Sequence, residues 1–414
     1  MAGIEKRPLP HGWRWVNLGE CLSALETGSR PRGGAIGVEE GIPSISAEHM
    51  TKSGTFDFSA MRYVPKEFFK QMPRGHIKIW DILVVKDGAT TGKVSLVTPE
   101  LPFSKAVINE HVFLCRPNPM IVEPLWLFWW LWGTEGQKSI RSNFQGAAIG
   151  GINQSFANTV FVPLPPLSEQ KRITAILNKQ MAAVERARAA TEARLAAAKA
   201  LPGAYIRKAF ENNKAKKWTW RRLGDIAYML PSKSIALSGD VEVQAITTAC
   251  LSEGGFLPSG VKTSRMWSKD VPECLVSKGE ILVARSNTPD LVGRVSTYNG
   301  EPEGVVASDL TIRLWPTKEI SSEFLTVYLS YLYLTGYWKE RAGGASGSMK
   351  KITRGQIQAE SVPVPPLSEQ EEIAGQVNKR IQEADRVSEP ILSEIEVINA
   401  LPATLLRRAF SGEL

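Results

Sequence analysis

Few side chains in this sequence suit acid–base chemistry near neutral pH. Its four histidines (His11, His49, His76, His111) all fall in the first half. General acid–base and nucleophilic catalysis need a base beside the reacting group. The second half repeats the first but lacks histidine, so no His-centred active site is expected. The segment Gly88-Ala89-Thr90-Thr91-Gly92-Lys93 is one residue short of a phosphate-cradling loop and lacks the hydroxyl that would hold magnesium. It reads as a tight turn between two strands. No Gly-x-Gly-x-x-Gly opens a helix after a strand, and no Asn/Asp-Pro-Pro-aromatic run is present to grip a flipped adenine. The four cysteines form no Cys-x-x-Cys, which argues against a metal site or a disulfide framework and for a reducing compartment. No catalytic residue, bound cofactor or metal is expected in this chain.

What remains is binding. Loops that mix Arg and Lys with Gly, Ser, Thr, Asn and Gln suit phosphate contacts and base-edge hydrogen bonds. In the first half these are Ser29-Arg30-Pro31-Arg32-Gly33-Gly34, then Lys86 to Lys93 with Thr90 and Thr91, then Arg141 to Gln145 with Asn143. In the second half they are Ser232-Lys233-Ser234, then Arg285-Ser286-Asn287-Thr288 with Arg294, then Ser346 to Lys351 with Ser348 and Lys350. The second and third loops recur at equivalent places in both halves. The candidate residues for phosphate and base-edge contacts are therefore Arg30, Arg32, Lys86, Thr90, Thr91, Lys93, Asn143, Gln145, Lys233, Arg285, Ser286, Asn287, Arg294, Ser348, Lys350 and Lys351.

The elements that must position these loops are duplicated. Residues 162–173 (VPLPPLSEQKRI) recur at 362–373 (VPVPPLSEQEEI) with nine of twelve positions identical. Leu201-Pro202 and Arg207 to Phe210 recur as Leu401-Pro402 and Arg407 to Phe410. Asp81-Ile-Leu-Val matches Glu280-Ile-Leu-Val, and Gly92-Lys93-Val-Ser matches Gly293-Arg294-Val-Ser. The chain is two copies of one unit. The first part of each copy alternates short β-branched runs with Gly, Pro and Ser turns, which predicts an α+β domain. The aromatic stretches around 124–132 and 324–338 are predicted as core helices.

The second part of each copy starts a long helix at PPLSEQ. Ser168 and Ser368 are expected as N-caps, and Ser368 to Glu371 as a capping box. Steps of three and four residues trace an apolar seam at coiled-coil spacing. It runs Ile173, Leu177, Met181, Val184, Arg188, Thr191, Leu195, Ala198 in the first helix. In the second it runs Ile373, Val377, Ile381, Ala384, Ser388, Ile391, Ile395, Ile398. Residues 163–211 carry nine basic against four acidic side chains, and residues 363–414 five against nine. Opposite charge and matching seams predict that the helices pair with each other, antiparallel. Pro202 and Pro402 are expected to kink or end the helices. Pro390 is expected to bend or restart the second, with Ser388 as a new cap.

The expected divisions are 1–162, 163–211, 212–362 and 363–414. A composition of 43% hydrophobic and 22% charged residues is that of a globular protein, and a net charge of +8 favours a polyanionic partner. The longest apolar run, Leu125 to Trp132, is too short to span a bilayer. A soluble, cytoplasmic protein is expected.

Two α+β domains, each followed by a PLPPLxEQ-type helix start and a long helix ending in LP…R(K/R)AF, resemble the specificity subunit of type I restriction–modification systems. The tail from Phe410 to Leu414 is similar to the closing motif of that family. The resemblance implies an α+β fold with two pseudo-symmetric target recognition domains separated by two long antiparallel, coiled-coil-like helices. Each domain would read one half of a bipartite, asymmetric DNA site. The helices would set the spacer, and Ile173, Leu177, Met181, Val184, Leu195, Ile373, Val377, Ile381, Ile391, Ile395 and Ile398 would serve the helix–helix contact and the docking of two modification subunits. Catalysis, with S-adenosylmethionine, ATP and Mg, would reside in the modification and restriction (motor–nuclease) subunits. Two other readings stay open: a coiled-coil scaffold with no DNA readout, and a nuclease or methyltransferase hidden in the α+β domains.

Overall fold

The computed structural model describes residues 8–32, 38–146, 150–235, 238–252, 254–344 and 348–414. The chain forms two compact units, one of Met1–Ala189 with Glu396–Leu414 and the other of Ala190–Ile395. Each is built to the same plan.

In the first unit a four-stranded antiparallel sheet runs in the order Leu22–Thr27, Val112–Pro117, Ile82–Val85, Val94–Leu96. Ile82–Val85 is apolar throughout and buried on both faces, as expected for an inner strand. A three-stranded sheet follows in the order Tyr63–Val64, Ile42–Ile45, Val107–Ile108. Arg14–Asn17 pairs antiparallel with Phe161–Leu164, a clasp that closes the domain just before the first long helix. The helix Pro124–Trp132 is apolar on nearly every side and so must be buried. Its tryptophans pin it to the clasp: Trp126 Nε1 donates to the Pro163 carbonyl and Trp130 Nε1 to that of Phe161, both at 2.9 Å.

The second unit repeats the strand orders: Ala227–Leu230, Thr311–Pro316, Ile281–Ala284, Val295–Thr297 in one sheet and Lys262–Met266, Val241–Ile246, Val305–Ala307 in the other. Its clasp joins Thr219–Arg222 to Ser361–Val364, and its core helix is Ser322–Leu334.

The long helices are Leu167–Phe210 and Leu367–Ser411. Each unit holds the start of one and the end of the other, antiparallel. In the first unit Ile173, Leu177 and Met181 share a core with Leu406, Ala409 and Phe410, and Phe410 packs edge-on against Trp126 and Trp130. In the second, Ile206 packs with Val377 and Ile381. Val184, Ile391 and Ile398 are buried, while Leu195, Ile373 and Ile395 are half-buried. Arg194 pairs with Glu394 at 3.0 Å, but both side chains are half exposed, so the pair is worth about 1 kcal/mol at most. The apolar seam, more than charge, holds the helices together.

Three local expectations are corrected. Both helices begin two residues earlier than those caps imply, at Leu167 and Leu367. The Pro166 carbonyl takes the amides of Glu169 and Gln170, and Pro366 does the same in the second copy, so Ser168 and Ser368 sit inside the first turn rather than capping it. Pro202 and Pro402 do not end the helices, which continue to Phe210 and Ser411. Pro390 does not restart the second helix: Ser388 Oγ donates to the Ala384 carbonyl at 3.0 Å, a mid-helix back-bond, and buried Ile391 keeps the seam in register. At the three prolines tertiary packing outweighs the local breaker.

Candidate nucleic-acid interface

The strand–turn–strand element common to both copies is fixed by a buried carboxylate. Asp81 takes Arg116 Nε and Nη2 at 2.8 Å each and the Lys78 amide at 2.7 Å. Glu280 takes Arg313 Nε at 2.8 Å, Nη2 at 2.9 Å and the Ser277 amide at 2.7 Å. This bidentate geometry anchors the base of each turn.

At the other end of those strands the three loops of each copy converge. In the first unit the turn between the strands closes through the Gly92 amide to the Val85 carbonyl (2.8 Å), with Gly88 and Gly92 at φ 88° and 85°. The third loop lies against it: Gly88 donates to the Gly150 carbonyl and Ile152 to that of Lys86, while Gln145 and Gly151 exchange two backbone bonds at 2.9 Å. Arg30, from the first loop, reaches Glu110 at 2.9 Å; His111 Nδ1 lies 2.6 Å from Asp87 Oδ1. In the second unit Ser286 and Asn287 form a short ladder with Lys351 and Lys350, and Ile352 donates to the Arg285 carbonyl. The Asp309 amide donates to the Lys233 carbonyl at 3.0 Å, bringing in the first loop.

The candidate residues fall into two groups. Lys86 Nζ and Arg285 Nη1 both reach the carbonyl at the next strand turn (Glu110 and Asp309). Lys93 Nζ donates to the Ala47 and Met50 carbonyls, and burial draws its ammonium below the ordinary lysine range. Arg294 donates to the Leu251 carbonyl and the Tyr333 hydroxyl, and Asn143 is held between Ser139 and Thr159. These five brace the loops. Thr91 Oγ1 is turned back to the Gly88 carbonyl. Arg30, Arg32, Thr90, Gln145, Lys233, Ser348 and Lys351 are exposed, and Ser286, Asn287 and Lys350 half-buried. Gly33, Gly34, Ser346 and Gly347 lie outside the described residues.

Sequence reasoning passed over several members of these clusters. Asp87, Glu110 and His111 come together only when two distant turns meet. Phe144, Leu310 and Met349 are apolar yet about half exposed among polar neighbours, a signal readable in the sequence as large apolar residues inside polar loops. The glutamine of PPLSEQ was also missed; Gln170 and Gln370 are fully buried in both copies.

Among the described residues no cluster of three or more His, Cys, Asp or Glu is placed to hold a metal. All four cysteines are buried, and burial pushes the Cys21 thiol up to about 12, far from nucleophilic use. No described helix is long and apolar enough to cross a membrane.

The type I restriction modification DNA specificity domain matches residues 10–191 and again 215–397. The chain belongs to that family. It is similar along its length to specificity subunits of type I restriction enzymes: 25% identical to StySPI of Salmonella potsdam, covering 99% of this chain and 91% of that protein, and 23% identical to EcoKI of Escherichia coli (98% and 90%). The fold matches a chain from a type I R-M system whose structure concerns complex assembly and conformational transition (TM-score 0.76, 19% identity, 99% and 100% covered). It also matches the HsdS subunit of Thermoanaerobacter tengcongensis (0.57, 19%, 99% and 99%). Two α+β recognition domains with two long antiparallel helices are the architecture of this specificity-subunit family.

Proposed function

We propose that this chain is the sequence-reading subunit of a type I restriction–modification complex and carries no catalytic step itself. Each loop cluster reads one half of a bipartite, asymmetric DNA site. The observation that carries this reading is that the same three loops converge at the same place on two copies of one framework, yet present different side chains. Arg30, Arg32, Gln145 and Thr90 occupy the first cluster; Asn287, Lys350, Lys351 and Lys233 the second. Identical frames with unlike tips suit two unlike half-sites. Exposed cations supply phosphate contacts and a salt-dependent affinity, while amide, hydroxyl and apolar side chains discriminate base edges at about 1–3 kcal/mol per good contact.

The long helices set the distance between the half-sites and dock two modification subunits. Val387 and Leu392, about half exposed on the second helix, are apolar side chains suited to such docking. S-adenosylmethionine, ATP and Mg belong to the modification and restriction subunits. Mapping methylated adenines in cells with and without the gene tests the proposal. A two-part motif with a fixed gap, lost on deletion, is expected. An unchanged methylation map, or a single uninterrupted motif, would refute it.

A further inference from the structure

PPLSEQ contains a buried amide whose role is the same in both copies. Gln170 Oε1 accepts the Glu123 amide at 2.8 Å, and its Nε2 donates to the carbonyls of Ile121 (3.1 Å) and Pro165 (2.9 Å). Gln370 Oε1 accepts the Ser321 amide at 2.8 Å, and its Nε2 donates to Glu319 (3.0 Å) and Pro365 (2.8 Å). Both side chains are 0% exposed. Each ties three segments: the first turn of a long helix, the end of the clasp strand, and the residue that starts the aromatic core helix. The clasp carbonyl precedes a proline, which has no N–H to offer, so the glutamine completes a joint the backbone cannot make alone.

The end of each core helix, with the short helix that follows it (Thr134–Arg141 in the first unit, Tyr337–Arg341 in the second), holds the reading turn. In the first unit Gln137 Nε2 donates to the Gly92 carbonyl at 2.9 Å. In the second, Tyr333 donates to the Asp290 carbonyl at 3.0 Å, Lys339 pairs with the Asp290 carboxylate at 2.7 Å, and Gly293 lies so close to Trp338 that a side chain there would collide. A run of hydrogen bonds, buried around the glutamine and more exposed at the turn, therefore links long helix, glutamine, core helix and reading turn, and it is built twice with different residues at the distal end.

We propose that Gln170 and Gln370 are positioning residues that fix the angle of each reading turn to its long helix. The preferred spacing between half-sites then depends on these two joints as well as on helix length. This rests on the bipartite reading above. Substituting Gln170→Met or Gln370→Met keeps the length of the side chain but leaves one amide and two carbonyls without the glutamine as partner.

The test is competition binding by the full chain with its modification subunits, on duplexes whose half-sites are kept while the gap is changed by one base pair either way. Both Met variants are expected to lower discrimination between gaps about tenfold while leaving base preference within each half-site unchanged. Gln170→Glu, which when protonated keeps the acceptor and one donor, recovers part of that discrimination, and more of it as pH falls. It also serves if the Met variant does not fold. A folded variant with unaltered gap preference overturns the proposal, as does equal loss of gap and base preference. A wild-type complex indifferent to the gap would overturn the bipartite reading itself.

Discussion

The two loop clusters stand on one framework but handle charge differently. In the first, the Arg30 cation is matched by Glu110, and the His111 ring lies against the Asp87 carboxylate. In the second, Lys350 and Lys351 extend a short ladder and form no ion pair among the described residues, while Leu310 occupies the place of His111. That equivalence is set by the backbone, since Lys86 donates its amide to His111 and Arg285 donates its own to Leu310. Beneath the clusters, the carboxylate–arginine tie, the glutamine joint and the aromatic core helix keep the same chemistry. Such a frame lets the tips diverge without altering how they are held.

The frame itself differs in depth, and the largest effect should arise there. Arg313 and Glu280 are 3% and 2% exposed, whereas Arg116 is 21% exposed over an equally buried Asp81, 1% exposed. Arg313→Ala strands a buried carboxylate and three carbonyls and should cost about 3–5 kcal/mol in denaturant unfolding, with Arg116→Ala, which strands the equally buried Asp81 but only the His76 carbonyl, somewhat less harmful. Equal losses would show that the deeper guanidinium and its additional carbonyl bonds add nothing to the tie. The helix ends give a second contrast. Phe410 is buried between tryptophans and Phe210 only partly buried. Phe410→Ala should cost about 3 kcal/mol or more and exceed Phe210→Ala by the same measurement.

The tips give smaller effects. Replacing Lys350 and Lys351 with Ala should weaken DNA binding and flatten the slope of log K against log salt by about 2, one per lost phosphate contact. Arg30→Ala removes a cation that Glu110 already offsets, so its slope should change by less than about 1. A larger change for Arg30 than for either lysine would reverse the contrast between the clusters.

Much of this was legible in the sequence because it is local or periodic. The PPLSEQ repeat, the seam from Ile173 and Ile373, and the apolar strands at 82–85 and 281–284 each announce themselves within a few residues. The sequence misled where a local breaker met a strong tertiary context, as at Pro202, Pro390 and Pro402. It was silent where function depends on distant partners. Asp87 meets His111 only when two turns close, and Gln170 needs Ile121 and Glu123 to show its purpose. Arg116 and Arg313 make the same tie from different strand positions: Cys115 and Leu314 are the partners of Ile82 and Ile281, and Arg116 follows one while Arg313 precedes the other. An alignment of the repeats by spacing alone misses that exchange. The candidate loops were found by composition, but composition could not separate the bracing Lys93 and Arg294 from the outward Gln145 and Lys351.

The central claim is that each cluster reads its own half of the site without help from the other. Replacing Asn287, Lys350 and Lys351 together with Ala, then mapping methylated adenines in cells, tests this most directly. The account predicts a motif that loses definition in one half while the other half and the gap remain as before; blurring of both halves together, or of neither, would contradict it.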